Sequence, residues 1–153
     1  MNKKGVTLLE LIIVFVIIAI MAAFILPGIG SSWLPRYRLR TASRDIVSTM
    51  RTAQMRAVSS GLPYQVNFNI GTNSYVLQYT SGGNTFNAGP VQTAPSGIIV
   101  TVAGLPGNTA KFNPNSTCNG ATDVVTLSYQ KKGVTWEQKA ISLNAATGRI
   151  TIQ

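Results

Sequence analysis

Glu10, Asp45, Asp123 and Glu137 are the only carboxylates among the 153 residues; there is no histidine, and Cys118 is the one thiol. Acid–base catalysis and metal binding draw on these side-chain types, so the supply for either is nearly absent and an enzyme is not expected. The sequence holds no glycine-rich phosphate loop, and no Asp/Asn spacing supports a calcium loop. No catalytic residue, metal ligand or cofactor is assigned. Cys118 has no second cysteine to pair with inside the chain, which leaves the compartment open, and burial is the expected fate of its thiol.

Cations are plentiful instead: 13 Lys and Arg against 4 Asp and Glu give a net charge of +9. Such an excess attracts polyanions or anionic lipid, and it equally describes a solvated, soluble surface. At this length one modest domain is expected.

The element that carries Glu10 is the most informative. From Leu11 to Leu26 every residue is apolar, and Val6–Leu26 is interrupted only by Thr7 and Glu10. About 20 such residues match a bilayer core. A secretory signal has a shorter apolar run and a small-residue cleavage site after it, whereas here Pro27-Gly28 and Gly30-Ser31-Ser32 read as a break after a membrane span. Lys3 and Lys4 hold the short leader on the cytoplasmic side and leave the rest of the chain across the membrane. A carboxylate in such a helix costs on the order of 2.5 to 3.5 kcal/mol near the bilayer centre and less toward its edge. Glu10 therefore sits at headgroup depth or takes a partner or a proton.

The segment Lys3-Lys4-Gly5-Val6-Thr7-Leu8-Leu9-Glu10, followed by the apolar run and Pro27, resembles the leader of the type IV pilin superfamily. Where this chain has Val6 the family usually has Phe. The resemblance implies that a prepilin peptidase cuts between Gly5 and Val6, that Val6 becomes a new and N-methylated terminus, and that its amine pairs with Glu10 of a neighbouring subunit. Glu10 and Pro27 then serve assembly. It further implies an inner-membrane assembly platform as partner.

Beyond Pro35 a second helical pattern runs from about Tyr37 to Ser59, with Leu39, Ala42, Ile46, Met50, Ala53 and Ala57 in one stripe at 100° per residue. Arg36, Arg40, Arg44 and Arg51 fall on a separate face, and Arg38 and Arg56 share a third direction. Solvent, acidic neighbours, lipid headgroups and nucleic acid are the candidate partners of these arginines. If the two helices are continuous they form a rod on the order of 80 Å long, bent or loosened at Pro27 and its glycines.

Tyr64, Val66, Phe68 and Ile70 alternate with polar residues as a half-buried strand does. Further strands are expected at Tyr75–Thr80, Ile98–Ala103, Val124–Tyr129, Val134–Leu143 and Arg149–Ile152, and residues 81–97 and 105–120 are expected as loops. The fold class is α+β: a long N-terminal helix, membrane-spanning in its first half and amphipathic in its second, packed on an antiparallel sheet domain. The organisation is a leader at 1–5, an assembly helix at 6–30, the amphipathic helix at 31–60 and the β-rich domain at 61–153.

The stretch Leu39–Leu77, a helix with Ala-rich contacts followed at once by the alternating strand, is similar to the GspH/FimT branch of the superfamily. That implies a minor pilin or pseudopilin that primes or caps a type IV pilus or type II secretion filament. It sits in the bacterial inner membrane as a single-pass protein with its N-terminus cytoplasmic and its β-rich domain periplasmic. Two alternatives accompany it. Some FimT-type members bind DNA through a Gly-Arg-x-Arg pattern, of which Gly148-Arg149-Ile150-Thr151 keeps the first Arg only. Arg149, Lys131, Lys132 and Lys139 are the candidate polyanion contacts, and a hairpin turn equally explains Gly148-Arg149. The other alternative is a major pilin of the filament body, many of which close a C-terminal disulfide loop that one Cys cannot make.

Overall fold

The computed structural model describes residues 7–25, 33–119, 124–131 and 134–153. The chain divides into two compact units, Met1–Pro35 and Arg36–Gln153.

In the first unit, helix α1 runs Leu8–Ile25. Thr7 starts it: its carbonyl accepts from the Leu11 N–H at 3.2 Å, and its Oγ1 accepts from the Glu10 N–H at 3.3 Å. Thr-x-x-Glu is a capping box in sequence, and this bond is its first half. From Leu8 to Met21 the side chains of α1 are exposed, and a helix apolar all round needs a membrane or neighbours to cover it. Its 18 residues measure about 27 Å at 1.5 Å per residue. Among the described residues no helix is long and apolar enough to cross a membrane. The expected span Val6–Leu26 has both its end residues outside the described ones, as does the expected bend at Pro27.

The second helix, α2, runs Trp33–Ser60, four residues earlier than the periodicity indicated. Pro35 falls in its first turn, where the missing N–H forfeits no helical bond. At its other end Gly61, at φ 69°, donates its N–H to Ala57 O at 3.1 Å, a left-handed C-terminal cap. All six stripe residues, Leu39, Ala42, Ile46, Met50, Ala53 and Ala57, are buried.

The β-rich region is antiparallel throughout, as expected, and divides into two sheets. One has β1 (Tyr64–Asn69), β2 (Ser74–Ser81), β3 (Asn84–Asn87), β4 (Gln92–Thr93) and β6 (Thr109–Phe112), in the order β3-β2-β1-β6 with β4 also on β2. The other has β5 (Ile98–Val102), β7 (Val125–Lys131), β8 (Val134–Leu143) and β9 (Ile150–Ile152), in the order β5-β7-β8-β9. Three strands, β3, β4 and β6, thus occupy segments expected as loops. Ile70, expected to end the first strand on its buried side, lies in the β1–β2 turn and is 38% exposed. A single core joins α2 to both sheets: Leu39, Ile46 and Met50 cluster with Val66, Phe68 and Phe112 and with Val100, Leu127 and Ile141. Cys118 is buried, as expected; its backbone N–H donates to Ala145 O at 3.0 Å and its Sγ to Asn144 O at 3.2 Å. Because Cys118 also bridges Phe112 of β6, this short segment ties one sheet to the loop after β8.

Candidate functional site

Of the residues singled out for processing and assembly, Gly5, Val6 and Pro27 lie outside the described residues. Glu10 occupies the third position of α1, beside its capping threonine. A carboxylate there also meets the positive end of the helix dipole, an interaction within its own chain that the sequence reading did not assign. The signal for it, Thr7 three places before Glu10, was present in the sequence.

The arginines of α2 divide by what they touch. Arg36 Nε lies 3.2 Å from Glu137 Oε2 on β8. Arg38 and Arg56, which share one direction on the helix, both reach toward the chain between β3 and β5. Arg38 Nη1 donates to the carbonyl and the hydroxyl of Ser96 at 3.3 Å each, and Arg56 Nη1 donates to Ala88 O at 3.2 Å. These two clamp a segment rich in Pro and Gly that has few ladder bonds of its own. Arg40, Arg44 and Arg51 are exposed.

Of the four candidate polyanion contacts, the three with described backbone sit at different places along β8 and after it. Lys131 pairs with Val134 at the start of β8, while Arg149 follows the turn at its far end, where Leu143 pairs with Ile150. Nine steps along β8 at about 3.4 Å separate these ends by roughly 30 Å. Lys139 lies opposite Leu127, half-buried on the face that carries Ile141 and Leu143. Lys132 lies outside the described residues.

Arg149 instead shares a cavity with residues of another element. With Arg51 and Gln54 of α2 and residues Gly148–Ile152 it lines an open cavity of about 570 Å3. Gly148 makes this approach feasible. It sits at φ 63°, its N–H donates to Asn144 O at 2.8 Å, and a Cβ on it would stand 2.5 Å from Ser116 O and 2.6 Å from Gln54 Nε2. The β8–β9 connection is the hairpin turn with a strained glycine that the sequence suggested.

A second cleft, on the opposite flank of α2, is lined by Asp45, Ser48, Thr49, Tyr75, Gln92 and Thr93. Burial of Tyr75, reinforced by the Asp45 carboxylate and offset by a hydrogen bond with Thr49, pushes its phenol up to about 12. A phenol held neutral to that pH is a packing group, not a base at physiological pH. Among the described residues no three His, Cys, Asp or Glu side chains come together as a metal site.

Comparison with known proteins agrees with this architecture. Residues 1–26 match the model of the prokaryotic N-terminal methylation motif. No curated protein sequence matches the chain. Among solved structures, the minor pseudopilin EpsH from the type 2 secretion system of Vibrio cholerae superposes with a TM-score of 0.61 at 14% identity, over 76% of this chain and 96% of that one. The type IV minor pilin FimU of Pseudomonas aeruginosa superposes with a TM-score of 0.55 at 16% identity, over 77% of this chain and 90% of FimU. Residues 1–26 thus carry an N-terminal methylation motif, and the α+β fold beyond it is the one seen in EpsH and FimU.

Proposed function

We propose that the chain is a minor pilin or pseudopilin that primes or caps a type IV pilus or type II secretion filament. A prepilin peptidase releases residues 1–5, the apolar helix beginning at Val6 holds the subunit in the inner membrane, and the assembly platform passes it into the filament. The observation that carries this reading is α1 itself: an exposed helix, apolar on every side, whose one charged group is Glu10 in the first turn. Such a helix is stable in lipid or among copies of similar helices, and a subunit that moves from one to the other keeps its apolar surface covered throughout. Glu10 supplies register, because beyond the helix dipole of its own chain its charge gains a partner where a neighbour's terminal amine comes level with it.

The test is Glu10→Ala in the full chain, scored as the amount recovered in sheared filaments. Thr7 Oγ1 bonds the backbone N–H of Glu10 and not its carboxylate, so the alanine variant keeps that bond. A loss of incorporation then reports on the carboxylate. We expect a drop of about tenfold or more, corresponding to about 1.4 kcal/mol, within the range of a charge-assisted contact. Thr7→Ala, which loses the cap bond but keeps Glu10, should cost about 1 kcal/mol of helix stability and leave incorporation nearly intact. Equal incorporation of wild type and Glu10→Ala would sink the register role.

A further inference from the structure

β9 is an outer strand of its sheet, and its hydrogen bonds show which backbone groups it has left over. Asn144 N–H donates to Arg149 O at 3.0 Å, and Gln153 N–H donates to Ala140 O at 2.8 Å. Bonded and non-bonded residues alternate along an antiparallel pair. Arg149 therefore turns its C=O toward β8, its N–H donating to Thr147 Oγ1 within the turn at 3.3 Å; Thr151 and Gln153 turn N–H and C=O toward β8, while Ile150 and Ile152 turn theirs away from it. Among the described residues no other strand pairs with that edge. An edge with unpaired donors and acceptors is a template for a further strand.

What lies beside β9 is the cavity of about 570 Å3 bounded by Arg51 and Gln54 of α2. Its lining contains two guanidinium groups and no carboxylate, and neither Arg51 nor Arg149 has an acid partner among the described residues. Resting on the filament reading above, we propose that this groove takes an extended, acidic segment of a neighbouring filament subunit. The segment adds as a strand along β9 and presents a carboxylate to Arg51 and Arg149. Peptide backbone suits the edge because it supplies both donors and acceptors for the outward N–H and C=O groups of Ile150 and Ile152. Phosphate oxygens only accept, so a nucleic-acid backbone answers the arginines and the two N–H groups but leaves both carbonyls facing negative charge.

The experiment follows the amides of Ile150, Thr151 and Ile152 by hydrogen exchange in the full chain, first in detergent micelles and then in filaments assembled with its neighbouring subunits. Thr151 is bonded to β8 and should be protected in both states. Ile150 and Ile152 should gain protection of about tenfold or more on assembly, as amides do when they enter a strand ladder. Ile152→Pro removes an N–H that β8 does not use and sets a ring in the path of the incoming strand, a substitution that edge strands tolerate. It should melt cooperatively yet enter filaments about tenfold less than wild type, in proportion to the lost contact. Should it fail to melt cooperatively, Arg149→Glu decides in its place, with the same expected loss.

Assembled wild-type filaments with unchanged exchange at Ile150 and Ile152 would overturn the groove proposal and leave the filament reading standing. Full incorporation of the deciding variant would do the same. A wild-type chain that never enters a filament overturns both. Protection of these amides by duplex DNA alone, in the absence of other subunits, overturns the peptide in favour of nucleic acid.

Discussion

Gly148→Ala and Gly82→Ala put the same methyl group on the same kind of backbone and should have very different consequences. Gly82 is at φ 58° and Gly148 at φ 63°, so each alanine pays the left-handed penalty of about 1–2 kcal/mol. A Cβ on Gly82, in the β2–β3 turn, meets nothing within 4 Å. One on Gly148 stands 2.5 Å from Ser116 O, a backbone atom that moves only if its loop moves. Gln54 Nε2, at 2.6 Å, is the end of a flexible side chain and yields more cheaply. Overpacking of this kind adds about 1–3 kcal/mol, bringing Gly148→Ala to about 2–5 kcal/mol. Thermal unfolding of the full chain in detergent, followed by tyrosine and tryptophan fluorescence, measures both variants. At roughly 4 °C per kcal/mol for a domain of this size, Gly148→Ala should melt about 4–12 °C below Gly82→Ala. Two variants of equal stability would show that α2, the β8–β9 turn and the loop at Ser116 are not packed as described.

Two further outcomes follow from the core and from Tyr75. Met50→Ala removes a side chain with no exposed surface and should cost about 2–5 kcal/mol, read as a lower denaturation midpoint with an unchanged slope. Tyr75 titrates near 12 folded and near 10 unfolded. Its neutral form is favoured by folding, so this contribution is whole below pH 10 and is lost as pH rises from 10 to 12. The full linkage of about 2.7 kcal/mol is reduced to about 1 kcal/mol, because the residue borders an open cleft where solvent screens the charge. Tyr75→Phe should therefore flatten the alkaline fall in stability by about that amount; a fall of unchanged steepness would refute the assignment.

Where periodicity came from burial, the sequence could be read directly. The stripe from Leu39 to Ala57 is buried throughout because α2 lies on the sheets along its whole apolar face. Val66 and Phe68 face the core for the same reason in a strand's period of two. β6 gave no such signal: Thr109-Ala110-Lys111-Phe112 has only Ala110 and Phe112 to bury, and it is a strand because β1 offers it an edge. β3 is exposed at every residue and is held by pairing with β2, where Phe86 stacks on Tyr79 with ring centroids 5.4 Å apart. A local clue was nevertheless there, since Gly82-Gly83 joins β2 and β3 as the two-residue turn of a hairpin. The choice between one sheet and two was not legible, because it depends on which distant strands meet. The same holds for Arg51 and Arg149, which share a groove only after α2 and the β8–β9 hairpin are packed.

Charge supplies the remaining step, and it bears on the position of the subunit. Beyond residue 5 the side chains comprise eleven cations and four anions. Of the anions, Glu10 belongs to the apolar helix, Glu137 neutralises Arg36, Asp45 stands beside Tyr75, and Asp123 lies outside the described residues. Arg38 and Arg56 find carbonyl oxygens, which satisfy their donors and leave their charge. In a filament built only of this chain, any cationic faces that came within the screening length of about 8–10 Å would repel one another, and each added copy would add to that repulsion. A single copy among acidic neighbours, or at a filament end with few contacts, pays little or gains. On the filament reading proposed above, this charge balance suits a minor subunit with partners unlike itself better than a repeating unit of the filament body. It also gives the groove beside β9 a reason to select an acidic strand.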